Sequence, residues 1–272
     1  MNDESTVICS DSATKLSEAH RGQVVICGSH GGIYCGYLAA ASGLRAVILN
    51  DAGMGLQEAG AGCLDYCEKL GMAAATCAHD SARIGDGEDM AARGRISRVN
   101  RIAAACRCRP GMLVADGAEC LRKAPFLAWP FRPFREARQV LIASDDQPSI
   151  VCLDSVTLVM EDDIGQIVLT GSHGGLMGGR PEGALKVDAL AAFFNDAGVG
   201  MDNAGLGRLA VLDGRGIVAV AVDAMSARIG DGLSTYEEGR LSYVNDRASS
   251  SGLKAGMSAR QAVERLRQQK EG

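Results

Sequence analysis

The chain has 272 residues, of which 47% are hydrophobic and 22% are charged, and its formal net charge is -5. This balance predicts a mildly acidic globular protein and offers neither a nucleic-acid-binding surface nor a polybasic membrane patch. No stretch approaches the roughly 18 apolar residues that a membrane-spanning helix needs. The first residues also lack a basic flank followed by an apolar run. We therefore expect a cytoplasmic protein that binds neither nucleic acid nor membrane.

The sequence contains an internal repeat. The motifs DSAT, GSHGG, NDAGMG and SARIGDG of the first half recur in the same order as DSVT, GSHGG, NDAGVG and SARIGDG. Their spacing changes by only two residues, inside 176–194. The repeat predicts two units of ordinary domain size, 1–124 and 150–272, joined by a connecting segment, 125–149. We expect the two units to be related by a pseudo-twofold axis.

In chain order, each half alternates short apolar runs with glycine-rich loops and helix-like stretches. This alternation predicts βαβ units, and hence an α/β fold with parallel sheets covered on both faces. An extra strand is expected at DSAT and at DSVT. The predicted strands are 23–27, 45–49 and 72–77 in the first half and 166–170, 189–194 and 217–222 in the second; helices are expected at 33–42, 56–70, 95–105 and 118–124.

The connecting segment 125–149 contains four of the six prolines together with Trp129, Phe131 and Phe134. A flexible linker is usually rich in glycine and serine and poor in aromatic residues. We therefore expect this segment to pack across the boundary between the two halves.

The ten cysteines show no spacing that is typical of a zinc site. They are expected to be reduced and mostly buried as small hydrophobic side chains. The sequence also lacks the GxGxxG fingerprint and the GK[ST] phosphate loop. We predict no metal and no cofactor, while a metal held by residues from separate loops stays open.

If the apolar runs are parallel strands, the repeated loops follow their carboxyl ends, at the edge where ligands bind in open α/β sheets. Each loop leads into a helix whose first turn has unpaired N–H groups, and such a turn suits a carboxylate or a phosphate. A tight turn that simply requires glycine is the alternative for GSHGG. We assign substrate binding to the GSHGG residues Ser29, Gly31, Gly32, Ser172, Gly174 and Gly175.

Histidine and aspartate of the repeated loops are the candidate catalytic residues. His30 and His173 can act as acid, base or hydrogen-bond donor near neutral pH. Asp51 and Asp196 are expected to orient these histidines or to hold a substrate hydroxyl or amine. The neighbouring Asn50 and Asn195 are assigned to substrate binding, although Asx turns or helix caps explain the Asn-Asp pairs equally well.

The SARIGDG motif is identical in the two halves. Arg83 and Arg228 could clamp a substrate carboxylate with two hydrogen bonds. Structural ion pairs with Asp86 and Asp231 are an equally good explanation. Ser81 and Ser226 of the same motif are also assigned to substrate binding, and Ser97 and Ser242 further along are expected to cap helices.

Together these features predict an enzyme that acts on a small anionic metabolite, most plausibly a cofactor-independent hydrolase or lyase that uses a loop histidine as acid or base. A non-catalytic protein that binds a nucleotide or an organic acid is the alternative. A third possibility is a purely structural duplication. The partners expected are a small-molecule substrate and, in a homo-oligomer, further copies of the chain. The sequence leaves open whether one half, both halves or a composite of the two forms the site.

Overall fold

The computed structural model of the protein describes residues 5–126, 133–142 and 147–268. These residues form two mixed β-sheets, of five and six strands, with helices on their faces. The predicted α/β class is confirmed, and both sheets are mostly parallel. None of the helices in these ranges has both the length and the apolar character needed to cross a membrane.

The first sheet is built from the first half, and its strand order equals the chain order. The first four strands are parallel, whereas the fifth is antiparallel to the fourth. The valine- and isoleucine-rich composition of the second and third strands suits a strand that is buried on both faces. The strands are β1 (Val7–Ser10), β2 (Val24–His30), β3 (Ala46–Asn50), β4 (Ala73–Cys77) and β5 (Ile96–Val99).

The second sheet repeats this arrangement and adds one strand from the connecting segment. Its order is β11-β10-β9-β8-β7-β6, in which β7 to β10 are parallel and both edge strands are antiparallel to their neighbours. The strands are β6 (Arg138–Ile142), β7 (Ile150–Leu153), β8 (Ile167–His173), β9 (Ala191–Asn195), β10 (Val218–Val222) and β11 (Leu241–Val244).

Helices cover both faces of the first sheet, and alternate residues of β2 show this directly. Val25 and Cys27 pack in one apolar cluster with α1 and α2, whereas Val24 and Ile26 pack in another with α3, α4 and α5. The helices are α1 (Ile33–Ala41), α2 (Cys63–Leu70), α3 (Gly87–Arg93), α4 (Arg101–Ala105), α5 (Val114–Leu121), α6 (Gly207–Gly214), α7 (Gly232–Glu237), α8 (Asp246–Ser250) and α9 (Ala259–Gln268).

The helix predicted over 95–105 is wrong in its first part. Residues Ile96–Val99 form the edge strand β5, because they pair with the open edge of β4. The helix α4 starts only after Asn100, whose side chain accepts a hydrogen bond from the N–H of Ala103 at 2.9 Å. The predicted cap, Ser97, instead shares a hydrogen bond with the hydroxyl of Thr76.

The corresponding region of the second half corrects the prediction in the same way. Ser242 lies in β11 and is not a cap. Asn245 caps α8 by accepting a hydrogen bond from the N–H of Ala248 at 2.9 Å.

A helix follows GSHGG in the first half but not in the second. There the structure has two short 3-10 turns, Met177–Gly179 and Pro181–Gly183, in place of a counterpart to α1. The sequence GGRPEG explains this difference, since glycine and proline are the poorest residues for a helix interior. The expectation that every repeated loop leads into a helix is therefore wrong for this loop.

The connecting segment contacts both halves within its described part. Phe134 packs against Tyr34 and Tyr37 of α1, with ring centroids 5.8 and 6.1 Å apart, and β6 pairs with β7 of the second sheet. Trp129 and Phe131 lie outside the described residues. This placement brings the residues between Phe134 and β6 to the boundary between the halves.

Candidate active site

The repeated loops of the two halves face each other across an interface that we call the seam. A β-carbon built on Gly53 would lie 2.8 Å from the Cα of Gly198. The N–H of Leu56 donates to the carbonyl of Ala224 at 2.7 Å, and the N–H of Met201 donates to that of His79 at 2.8 Å. The two hydrogen bonds connect corresponding positions in opposite directions, so the seam is built from reciprocal contacts.

The NDAG loops at the seam hold an unusual backbone conformation. Ala52 and Met54 have φ values of 49° and 63°, and their counterparts Ala197 and Val199 have 52° and 63°. Side chains other than glycine rarely adopt such angles, least of all a β-branched valine. Both halves retain the strain, which is typical of loops held in a functional conformation by their surroundings.

His30 and His173 meet at the seam, with ring centroids 6.4 Å apart. The Nδ1 atom of each ring accepts a hydrogen bond from the backbone N–H two residues later, at 3.1 Å from Gly32 and from Gly175. Since Nδ1 is an acceptor, the proton of the neutral ring resides on Nε2. The Nε2 of His30 also lies 4.0 Å from the Cys35 thiol.

Burial keeps both imidazoles uncharged. It lowers the pKa of His30 to about 4. It also lowers the pKa of His173 well below its ordinary value, with a further contribution from the positive charge of Arg208. Near neutral pH, both rings are therefore hydrogen-bond donors through Nε2–H and not acids.

Asp51 pairs with a different histidine from the one that was expected. Its Oδ1 atom lies 3.0 Å from the Nδ1 of His79 and accepts from the N–H groups of His79 and Gly53. Burial would raise the pKa of Asp51, but the hydrogen bonds from His79 and Ser97 and the charge of His79 together outweigh burial and lower the pKa. The hydrogen bond to Asp51 raises the pKa of His79. The expected partnership with His30 is not formed, and the Nδ1 of that ring accepts from the N–H of Gly32 instead.

Asp196 has no histidine partner at the corresponding place, because Ala224 replaces His79. Its Oδ1 atom accepts hydrogen bonds from the N–H groups of Gly198 and Ala224, at 2.9 and 3.0 Å. Burial raises the pKa of this carboxyl group. Asp51 and Asp196 thus hold the NDAG loops and the seam, and neither is bonded to His30 or His173.

The two asparagines form the Asx turns that were the alternative interpretation. Asn50 Oδ1 accepts from the N–H of Ala52 at 2.9 Å, and Asn195 Oδ1 accepts from that of Ala197 at the same distance. Both side chains are fully buried. They connect two loops of their own half, since Asn195 also donates to the carbonyl of Ala227 at 3.1 Å.

The four serines assigned to substrate binding are used by the backbone. The hydroxyls of Ser29 and Ser172 each accept from a main-chain N–H of the DSAT or DSVT segment at 2.9 Å. Those of Ser81 and Ser226 accept from the N–H that precedes β5 or β11, also at 2.9 Å. These repeated hydroxyls position the loops.

Close backbone packing accounts for two of the four GSHGG glycines assigned to binding. A β-carbon on Gly31 or Gly174 would overlap the carbonyl oxygen of Gly60 or Gly205 in the neighbouring loop. Gly32 lines a cavity, whereas Gly175 uses its carbonyl to accept a hydrogen bond from Arg208.

The two arginines of SARIGDG form ion pairs, mostly within their own half. Arg83 lies 2.8 Å from Asp89 and 3.8 Å from Asp86, and it lies 3.9 Å from Asp202 of the other half. Arg228 lies 3.1 Å from Asp231 and 2.9 Å from Glu238. The structural alternative therefore describes both, but Arg228 in addition lines the cavity that contains His30.

This cavity, which we call the main cavity, has a volume of about 490 Å³ and is lined by both halves. The first half contributes His30 and the start of α1, and the second half contributes the loop 228–231, where a β-carbon on Gly230 would lie 3.4 Å from the ring of His30. A second cavity of about 50 Å³ shares His30 and reaches His173. Other residues that line the main cavity are Tyr34, Tyr66, Lys69, Phe134, Glu136 and Asp154.

Glu136 lies beside His30 in the walls of both cavities. Burial raises the pKa of its carboxyl group to about 7, and the nearby Asp154 contributes. Asp154 is held by hydrogen bonds from the N–H groups of Ala137 and Gly232, at 2.7 and 3.2 Å. Glu136 is thus partly protonated near neutral pH, which suits a group that both gives and takes protons.

Sequence reasoning missed Glu136 because the connecting segment has no counterpart within the repeat. Asp154 could have been found, since it belongs to the DSVT motif that matches DSAT and so repeats Asp11. Tyr34 and Phe134 carried no motif, and only the packing of the connecting segment on α1 brings them to the cavity.

In the second half, the chain after GSHGG packs against Gly85, the counterpart of Gly230 in the lining of the main cavity. Arg208 replaces Cys63 of the first half and is only 1% exposed. Its guanidinium donates to the carbonyls of Gly175, Gly183 and Ala184 and lies 5.2 Å from the ring centroid of Phe194. It thereby satisfies carbonyl groups of a segment that has no α-helix.

Among the described residues, no group of three or more His, Cys, Asp or Glu side chains could hold a metal ion. In comparisons with protein-family models, with curated proteins and with solved structures, no match to this chain was found.

Proposed function

We propose that this chain is an enzyme that transfers protons on a small carboxylate- or phosphate-bearing metabolite, as a cofactor-independent hydrolase or lyase, and that the main cavity is its active site. The observation that carries the proposal is that Glu136, His30 and Arg228 line one cavity built from both halves. A cavity of this size is typical of sites for small molecules.

Glu136 would be the general acid and base. Its position beside Asp154 and its burial keep the protonated and ionised forms similarly populated near neutral pH, which is where proton transfer in both directions is most efficient. This role replaces the acid-base role that the sequence suggested for the histidines.

His30 would stabilise negative charge that develops on the substrate. A neutral imidazole whose Nδ1 is already bonded has Nε2–H as its one remaining donor, and a preorganised donor of this kind is most effective in a water-poor site. His173 has the same donor and lines the smaller cavity. The two rings therefore support a site for a carbonyl oxygen or an oxyanion at the seam.

The anionic group of the substrate would bind between Arg228 and the start of α1. The guanidinium of Arg228 has two hydrogen-bonding edges, and Asp231 and Glu238 occupy only part of them. The first N–H groups of α1 and the side chain of Lys69 would add positive potential. The lining also includes Glu58, Asp65 and Asp231, so the anionic substrate predicted from the sequence depends on Arg228, Lys69 and the start of α1.

We further propose that the two halves are related by a pseudo-twofold axis and that one composite site is active. The reciprocal contacts between Gly53 and Gly198 support the axis. In the second half the segment that Arg208 holds covers Gly85, whereas Gly230 lines a cavity, and this difference supports a single site. The ten free cysteines are in keeping with the reducing cytoplasm that was expected.

The expected homo-oligomer is proposed as a dimer through the free edge of β6. This strand pairs only with β7 among the described strands, and Val140, Leu141 and Ile142 are 36–52% exposed. Apolar edge strands without lysine or proline tend to pair with another chain. An antiparallel edge can pair with its own copy across a twofold axis.

A thermal-shift screen tests the enzyme proposal. Small mono- and dicarboxylates, cyclic amides and phosphates are added to the wild type, because a specific ligand raises the melting temperature with its concentration. We expect the stabilisation to disappear in Arg228→Gln but to persist in the matched variant Arg83→Gln. Turnover of the stabilising compound should then require Glu136. Stabilisation without turnover in the wild type would favour a binding protein instead.

A further inference from the structure

The second half shows how a peptide segment occupies this kind of site. After Gly175 the chain passes over Gly85 of the first half, so that the carbonyl oxygen of Leu176 would touch any β-carbon on Gly85. Two residues later, the N–H of Gly178 donates to the carbonyl oxygen of Gly85 at 2.7 Å. The position next to His173 is thus filled by an amide N–H and an amide carbonyl.

Gly230 is the counterpart of Gly85 and has the same local structure. Both residues have a φ of 84°, and their N–H groups donate to the carbonyls of Gly171 and Gly28 at 2.8 Å. In the first half, however, the chain turns away into α1. A β-carbon on Gly230 would meet only the ring of His30, at 3.4 Å. No backbone hydrogen bond from a described residue reaches the Gly230 carbonyl, and Gly230 lines both cavities.

We propose that the main cavity binds a secondary amide, whose N–H donates to the carbonyl oxygen of Gly230 as Gly178 does to Gly85. This inference rests on the proposed function and specifies its substrate class. Backbone carbonyls are rigid acceptors, and they select N–H donors over the ester or ketone groups that lack one. The hydrogen bond from Gly178 to Gly85 thus shows the geometry that we expect for the hydrogen bond from the ligand to Gly230.

The corresponding reaction is hydrolysis of that amide. The oxygen of a water molecule bonds to the amide carbonyl carbon while the carboxylate of Glu136 accepts a proton from the water. Nε2–H of His30 stabilises the resulting oxyanion. The carbon–nitrogen bond then breaks, its electron pair stays on nitrogen, and Glu136 returns the proton to that nitrogen. One water is consumed, and the products are a carboxylic acid and an amine.

The test compares two probes that differ only in their amide N–H groups. N-acetylglycylglycine carries a carboxylate and two secondary amides, whereas its isostere has an ester oxygen in place of each amide N–H. Isothermal titration calorimetry of the wild type should show the amide binding about tenfold more tightly than the ester, which is the value of one hydrogen bond in a partly dry site. Equal affinities, or no binding of the amide, would overturn the inference.

A matched pair of variants locates the amide. Gly230→Ala places a methyl group in the cavity and should abolish binding of N-acetylglycylglycine. Gly216→Ala has a similar positive φ of 72° with no atom within 4 Å of the new carbon, so it reports the backbone strain alone and should bind the amide normally. If Gly230→Ala does not fold, the comparison of amide with ester in the wild type decides.

The outcomes separate this inference from the proposed function. If carboxylates stabilise the wild type through Arg228 but the amide binds no better than its ester, the amide inference is wrong and the proposed function still stands. Loss of binding for every anion in the panel would reject both.

Discussion

Replacing Arg208 by methionine tests how the second half of the structure is held together. Methionine retains most of the volume but removes the donors to Gly175 and Ala184, whose carbonyls lie in the buried interior. Each unsatisfied buried acceptor costs about 1–3 kcal/mol. The cost of burying the charge, which lowers the pKa of Arg208 to about 10, is recovered in the variant. We therefore expect a net decrease of about 2–4 kcal/mol in the free energy of unfolding.

Urea unfolding followed by circular dichroism measures this difference. Arg215→Met is the matched control, because Arg215 also donates to two carbonyls of the same segment, those of Leu185 and Val187, but its side chain is 31% exposed. Water can replace the lost donors there, so we expect a change of less than about 1 kcal/mol. Equal effects of the two substitutions, or an Arg208→Met variant as stable as the wild type, would refute the proposed role of the buried guanidinium.

Three further predictions concern charge and assembly. The hydrogen bond to Asp51 raises the pKa of His79 in the folded protein. The stabilisation from this pair is therefore complete below the pKa of about 6.5 in the unfolded chain and is lost as the pH rises through the pKa in the folded protein. The urea midpoints of the wild type and His79→Ala should differ more at about pH 5.5 than at about pH 9. For any substrate found, the pH–rate profile of the wild type should follow a group with a pKa of about 7, and Glu136→Gln should lose turnover while it still binds the substrate. Val140→Lys should convert a dimer into a monomer in light scattering, whereas a wild type that is monomeric at all concentrations would rule out pairing through β6.

Much of the fold could be predicted from the sequence because the relevant signals are local. Short apolar runs that end in glycine-rich loops specify buried parallel strands, and the positions of β2, β3 and β4 agree with the predicted runs to within a few residues. The edge strand β5 could not be distinguished from a helix. Its residues form a strand because β4 offers an unpaired edge, and a partner distant in sequence leaves no local pattern.

The candidate site was predicted only in part, for a related reason. Repetition identified His30 and Arg228 but also identified Asn50, Ser29 and Ser81, because residues that position the loops recur in both copies just as the residues that line the cavity do. Hydrogen bonds to the backbone separate the two groups, and those bonds are visible only in three dimensions. Glu136 has no copy to be compared with, so no repeat could reveal it.

The sequence by itself determined the α/β class, the repeated loops and the place where the halves differ, since each of these depends on residues that are close in the chain. Only the tertiary structure decided which residues share a cavity. It places His30 and Arg228 of the other half in one cavity, pairs Asp51 with His79, and buries Arg208 against the carbonyls that follow GSHGG in the second half. The physical reason is that burial, hydrogen bonding and pKa depend on neighbours in space, and at the seam those neighbours come from opposite halves of the chain.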